Sequence, residues 1–206
     1  MGKYTALIFD MGNVLISFSF EKMLSQVAST TELSVDTVKR LFMEDGTGIK
    51  YERGELSSKD LYNMLSEHAP APFDFDKFIE AGCDIFNPRP EMVQIVKHLK
   101  AKGIRLLLLS NTNEAHYNYI AKHFDFLPLF DHHILSYELH HVKPEKEIYQ
   151  AALFHANAQP HECFYIDDIP DYVSAAGKLG IKGHVYESHP LFLEALQKEG
   201  ILQFHE

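Results

Sequence analysis

Three short apolar runs in this chain each end on polar groups, and that repeat narrows the possible folds more than any other feature. Tyr4-Thr5-Ala6-Leu7-Ile8-Phe9 runs into Asp10 and a glycine turn, Ile104-Arg105-Leu106-Leu107-Leu108-Leu109 into Ser110-Asn111-Thr112-Asn113, and Cys163-Phe164-Tyr165-Ile166 into Asp167-Asp168. Such runs are too apolar for strands with one wet face. They suit a parallel sheet covered on both sides, which presents polar groups at the carboxyl ends of its strands. Between the second and third runs, Val142-Lys143-Pro144-Glu145 sets a lysine before a proline able to open a helix. An Asp before a glycine turn is ordinary turn chemistry by itself. Four such polar sites, far apart in sequence and all at strand ends or helix starts, point to one shared edge of a sheet.

The chemistry of that set is specific. A carboxylate nucleophile, a hydroxyl with amide donors, a lysine and a second carboxylate pair are what phosphoryl transfer through an aspartyl-phosphate needs, with one divalent cation. Asp10 would attack phosphorus and also hold the metal. Asp168, with Asp167 beside it, would complete an oxygen-rich shell. Ser110, Asn111 and Lys143 would bind phosphate oxygens and the charge that builds in the transition state.

In this order the residues resemble the haloacid dehalogenase-like hydrolase superfamily. The motifs are Phe9-Asp10-Met11-Gly12-Asn13-Val14-Leu15, Leu109-Ser110-Asn111-Thr112-Asn113, Lys143-Pro144-Glu145 and Tyr165-Ile166-Asp167-Asp168-Ile169-Pro170-Asp171. Within it the chain is similar to the small sugar-phosphate phosphatases, the group of the bacterial α-D-glucose-1-phosphate phosphatases. The resemblance implies Asp10 as nucleophile, and Mg²⁺ held by Asp10, the Gly12 carbonyl and Asp168. It further implies Asp167 acting through a metal-bound water, and Ser110 and Lys143 as the other catalytic residues. The implied activity is Mg²⁺-dependent hydrolysis of a small phosphorylated metabolite, a sugar phosphate first. Tyr172 stands where many relatives have Asn.

One departure matters more. Many phosphatases of the superfamily carry, two residues after the nucleophile, an aspartate that protonates the leaving oxygen and later activates water; here that position is Gly12. Acid and base catalysis of this kind is typically worth about 10²–10⁴ in rate. His140 and His141, just before Lys143, are the first substitutes the sequence offers. The alternatives are a phosphometabolite-binding or regulatory module with impaired turnover, and a 2-haloacid dehalogenase. Dehalogenases also lack the second aspartate, but displacement at carbon needs no metal, and the Asp167-Asp168 pair favours phosphate chemistry.

The expected fold is α/β, a doubly wound, Rossmann-like parallel sheet with an inserted α-helical cap: residues 1–16 and 88–206 as core, 17–87 as cap. Ser34 can cap a helix over 35–42, Ser57 or Ser58 one over 60–65, and a third covers 76–81, with no strand between Phe20 and Phe86. Asn87-Pro88-Arg89-Pro90 returns the chain to the core. Helices follow at 91–100, 114–124, 144–156, 171–179 and 190–198, with short strands at 133–135 and 184–186. The Glu44-Asp45 and Lys50-Tyr51-Glu52-Arg53 clusters read as solvated. Thirteen histidines show no His-Glu-x-x-His and no i, i+4 zinc pairing at His132-His133 or His140-His141.

With 206 residues, a net charge of −10 and no basic run, the chain is long enough for a real core and unsuited to nucleic acid. No signal-peptide pattern or membrane-spanning run is present, and Cys83 and Cys163 are the only cysteines. A cytoplasmic enzyme with reduced thiols is expected.

Overall fold

Seven strands are formed among the described residues, 3–44 and 46–202 of this computed structural model: β1 (Ala6–Phe9), β2 (Ile16–Phe18), β3 (Phe86–Pro88), β4 (Arg105–Ser110), β5 (His132–Leu135), β6 (Cys163–Asp167) and β7 (Lys182–Val185). Five make one parallel sheet in the order β5-β4-β1-β6-β7. The chain builds outward from β1 through β4 to β5, then crosses back to β6 and β7 on the other side. The strand order therefore reverses at β1, and the crevice that open sheets use for ligands lies at its carboxyl end. Phe9 pairs with Leu108 on one side and Ile166 on the other, which brings Asp10, Ser110 and Asp167 into one row.

The continuous apolar runs are explained by cover on both faces. Leu7, Phe9, Leu106, Leu108, Phe164 and Ile166 share one core with the helices α6 (Pro90–Ala101), α7 (Glu114–His123) and α11 (His189–Lys198), once α1 (Phe20–Thr31), α2 (Val35–Lys39), α3 (Thr47–Glu52), α4 (Ser58–Ser66) and α5 (Phe75–Cys83) have been passed. Ala6, Ile8, Leu107, Leu109 and Tyr165 pack on the opposite side against α9 (Lys146–Ala156) and α10 (Pro170–Lys178), which follow the short α8 (Ser136–Leu139). Leu7, Ile8 and Phe9 are each fully buried, worth about 1.5–3 kcal/mol apiece. A third cluster, Met23, Leu24, Val27, Val38, Leu41, Leu61, Leu65, Phe78 and Ile85, is built from α1 to α5 and their connections.

Several sequence expectations shift in detail. Ser57 caps α4 in a reciprocal box with Asp60, worth about 1 kcal/mol. The helix begun by Ser34 stops at Lys39 and continues as a π-helical turn over Arg40–Glu44; Asp45 and the Glu44 side chain lie outside the described residues. β2 and β3 form an antiparallel pair through which the chain leaves and re-enters the sheet unit. At three residues each, with a proline ending β3, they are too short to show a period of two. Pro144 does not open a helix. It sits in a turn after a cis Lys143-Pro144 peptide, and α9 begins at Lys146. Among the described residues no helix is long and apolar enough to cross a membrane.

Candidate active site

Asp10 leaves β1 with its N–H still paired to the Ile166 carbonyl at 2.8 Å, so the strand ladder itself fixes its position. The next residues turn sharply: Leu15 and Ile16 both donate to the Met11 carbonyl, and Asn13 takes a left-handed conformation at φ 53°. That turn aims the Asn13 amide at Asp168, to which it donates at 3.1 Å. Lys143 reaches the row from the far side. Its Nζ donates to Asp10 Oδ1 and to Asp167 Oδ2, both at 2.7 Å, and to the Leu109 carbonyl at 3.3 Å.

Asp167 accepts three times, from Lys143, from the Ile169 N–H at 2.8 Å and from the buried Tyr165 hydroxyl. Its carboxylate is thus an internal anchor, held more tightly than the water-mediated role read from the sequence required. Tyr172 places its ring 5.2 Å from the Lys143 ammonium, a cation–π contact.

Carboxylate oxygens of Asp10, Asp167 and Asp168 lie within 4.8 Å of one another, against the one ammonium of Lys143. Two negative charges are left over in a site where Asp10, Asp167 and Lys143 are buried. Burial pushes the Asp10 carboxyl up to about 7, against the pull of Lys143 and with the push of Asp167. Burial works against the Lys143 ammonium too, but the two carboxylates overcome it and raise its pKa. Asp168 is also raised, by burial first, with Asn13 opposing.

The second run supplies Ser110, buried at the end of β4, and Asn111 beyond it. The Asn111 side chain is engaged with the lysine loop: its Oδ1 accepts from the Lys143 N–H at 2.7 Å and its Nδ2 donates to the Lys143 carbonyl at 3.2 Å. Any contact of Asn111 with an anion therefore falls to its backbone. The two histidines suggested as proton donors are elsewhere engaged. His140 bonds the Arg53 carbonyl at 2.7 Å, His141 pairs with Glu145 at 3.1 Å, and neither lines the cavity beside Gly12.

A Cβ on Gly12 would stand 3.0 Å from the edge of the Phe18 ring, so an aspartate there would have to push that ring aside by a few tenths of an ångström. We expect Gly12→Asp to cost about 1–3 kcal/mol through overpacking, read by urea unfolding, with much of the loss recovered when Phe18→Ala is added.

Sequence reading missed several participants. Glu52, at the end of α3, is half-buried and lines the cavity that also touches Gly12, Phe18, Ser110 and Asn111. Its neighbour Arg53 pairs with Glu145. Neither is a freely solvated charge. Ser136, fully buried, places its hydroxyl 2.9 Å from the Thr112 N–H and 2.6 Å from the Glu52 carbonyl, joining the second motif to α3. The Phe-Asp-x-Gly-Asn sequence could have flagged Asn13, since Asn tolerates the left-handed turn. Nothing local flags Glu52 or Ser136.

Residues 4–180 match the haloacid dehalogenase-like hydrolase family. The chain belongs to that family. Among similar proteins, a sesquiterpene phosphatase of Aspergillus oryzae is 24% identical over 96% of this chain and 97% of its own length. A D-ribitol-5-phosphate phosphatase of Bacteroides thetaiotaomicron is 23% identical, covering 85% of this chain and 88% of its own. A family enzyme from Bacteroides thetaiotaomicron, solved with magnesium and inorganic phosphate, superposes with a TM-score of 0.79 at 24% identity, over 89% of this chain and 94% of that one. The shared fold includes the five-stranded parallel sheet on which this hydrolase carries its acidic cluster.

Proposed function

We propose that this hydrolase is a Mg²⁺-dependent phosphatase of small phosphomonoesters, working through an aspartyl-phosphate on Asp10. The reading rests on Lys143 bonded at once to Asp10 and Asp167, with a third carboxylate, Asp168, beside them at the switch point of the sheet. An all-oxygen donor set with two uncompensated negative charges fits a hard divalent cation. Asp10, the Gly12 carbonyl and Asp168 would hold it, Asn13 orienting Asp168 and Asp167 supporting from behind. When bound, the cation neutralises phosphate charge and lets an anionic nucleophile approach. Lys143 and the Ser110 hydroxyl take up charge on the phosphoryl oxygens, and the Asn111 backbone offers a further donor. Residues 17–87 act as the cap over the site, with 1–16 and 88–206 as the catalytic core.

The organic part of the substrate has two readings. A sugar phosphate follows from the sequence motifs, and the ribitol-phosphate phosphatase relative supports it. A cavity among the cap helices, sharing Phe20, Glu52 and His116 with the cavity beside Gly12, supports an apolar group: Phe20, Met23, Phe42, Leu61 and Phe78 wall it. The sesquiterpene phosphatase relative points the same way. Phosphate release from a panel of sugar, prenyl and aryl phosphates, with Mg²⁺ and with EDTA, tests both. Activity equal in EDTA would sink the metal assignment and revive the dehalogenase reading. Binding without release would leave a phosphate-binding module. Asp168→Ala should raise the Mg²⁺ concentration for half-maximal rate by about 10–100-fold; an unchanged requirement would remove Asp168 from the site.

A further inference from the structure

Position 12 has no acid, and a side chain added there would meet the edge of the Phe18 ring at 3.0 Å. Leaving-oxygen protonation must then come from another group facing the same cavity. Besides Ser110 and Thr112, the titratable side chains along it are Glu52 and His116. His116 is spent: one ring nitrogen meets the Gly82 carbonyl at 3.1 Å, the other the Asn113 amide at 3.0 Å, and burial pushes its pKa down to about 4. Tyr51 and Cys83, in the adjoining apolar cavity, are each pushed up by burial to about 12, beyond use as acids near neutrality.

Glu52 remains. Among the described residues its carboxylate meets no hydrogen-bonding group; burial raises its pKa, and the Lys143 charge lowers it. Glu52 lines the same cavity as Gly12, Ser110 and Asn111, the residues that follow the ends of β1 and β4 or close them. Its backbone is clamped to the core: the Glu52 carbonyl lies 2.6 Å from the Ser136 hydroxyl, the Arg53 carbonyl 2.7 Å from His140, and the Arg53 guanidinium pairs with Glu145. Gly54, at φ +67°, lets this segment press so close that a Cβ would stand 2.2 Å from the Tyr137 carbonyl oxygen. A solvated surface glutamate would need none of this.

We propose that Glu52 is the proton donor and acceptor that position 12 lacks, acting from the cap side; this rests on the phosphatase reading. In the first step an Asp10 oxygen bonds to phosphorus as the ester P–O bond breaks. The leaving oxygen takes that electron pair and the Glu52 proton. In the second step Glu52, now a carboxylate, takes a proton from water as the water oxygen bonds to phosphorus and the Asp10–phosphorus bond breaks. Phosphate leaves, and both carboxyl groups return to their starting states.

The test is kcat/KM at saturating Mg²⁺ for phosphomonoesters running from p-nitrophenyl to primary alkyl, in wild type, Glu52→Gln and Glu52→Asp. The wild type should depend only weakly on leaving-group pKa. Glu52→Gln should lose about 10²–10⁴-fold on alkyl esters and far less on p-nitrophenyl phosphate, whose leaving group departs unprotonated. It should also show a burst of p-nitrophenolate, because losing the base slows hydrolysis of the aspartyl-phosphate. Glu52→Asp, a carboxylic acid set back by one methylene, should fall between the two, and it carries the test should the Gln variant not fold. Equal loss across the series, no loss, or a wild type as steep as Glu52→Gln would overturn the proposal. So would a Glu52→Asp slope identical to wild type without a folded Gln variant. No release by wild type from any ester would overturn the phosphatase reading, and this role with it.

Discussion

Asp10→Asn is expected to abolish turnover while stabilising the metal-free protein. The amide keeps the shape of the carboxylate but has neither its charge nor its nucleophilic lone pair, so phosphate release should fall about 10³-fold or more. The stability effect runs the other way because the Asp10 carboxyl is raised from 3.8 to about 7 in the folded chain, burial being the main cause. A carboxyl with a raised folded pKa binds its proton more tightly when folded. Its contribution is full below pH 4 and is lost as pH climbs toward 7. Each unit is worth about 1.4 kcal/mol, so the asparagine, which cannot ionise, should be more stable than wild type by a few kcal/mol at pH 8 in EDTA. Near pH 4 the two should melt together. Adding Mg²⁺ should stabilise the wild type more and close the gap, since a ligand stabilises only the state that binds it. A variant with substantial Mg²⁺-dependent activity would show that Asp10 is not the nucleophile, and one less stable at pH 8 would show that the buried charge is compensated without metal.

The sheet was legible because its strands are buried on both faces: Leu7, Ile8 and Phe9, or Leu106 to Leu109, leave no polar position in register, and only a covered parallel strand accommodates that. Asp10, Ser110 and Asp168 stood out for the same reason, as polar groups where such runs stop, and Lys143 as a lysine set before a proline. What remained hidden depends on contacts between distant segments. Glu52 stands in a charged stretch that reads as solvent-facing, and becomes half-buried only because Ser136, His140 and Glu145 grip the residues around it. Asn111 looked like a phosphate ligand, yet its amide is matched to the backbone of Lys143, 32 residues away. Phe18 crowds Gly12 through β2, a strand too short to announce itself.

Lys143→Met should cost both stability and activity, and the two losses should respond differently to Mg²⁺. The ammonium is nearly sealed, its side chain 1% exposed, with both nearest carboxylates at 2.7 Å. Removing one partner of a buried ion pair leaves uncompensated charge and typically costs about 3–5 kcal/mol; here Asp10 and Asp167 are both left, with Asp168 adding to the repulsion. Methionine fills the volume and keeps the apolar stem, so urea unfolding reads the charge rather than a cavity. Without the ammonium, which holds them down, the folded-state pKa values of Asp10 and Asp168 climb further. The deficit against wild type should therefore shrink as pH falls from 8 toward 5, where the groups take up protons. Lys143 itself, raised above its ordinary value, stays charged throughout that window and adds no pH dependence of its own. Mg²⁺ should restore part of the lost stability by supplying positive charge to the same oxygens. It should not restore turnover, because the transition state still lacks a donor worth about 10²–10³ in rate. A deficit under about 1 kcal/mol that ignores both pH and Mg²⁺, the size expected of an exposed pair, would mean that the ammonium does not balance the cluster. Full recovery of activity with Mg²⁺ would mean that Lys143 serves the fold alone.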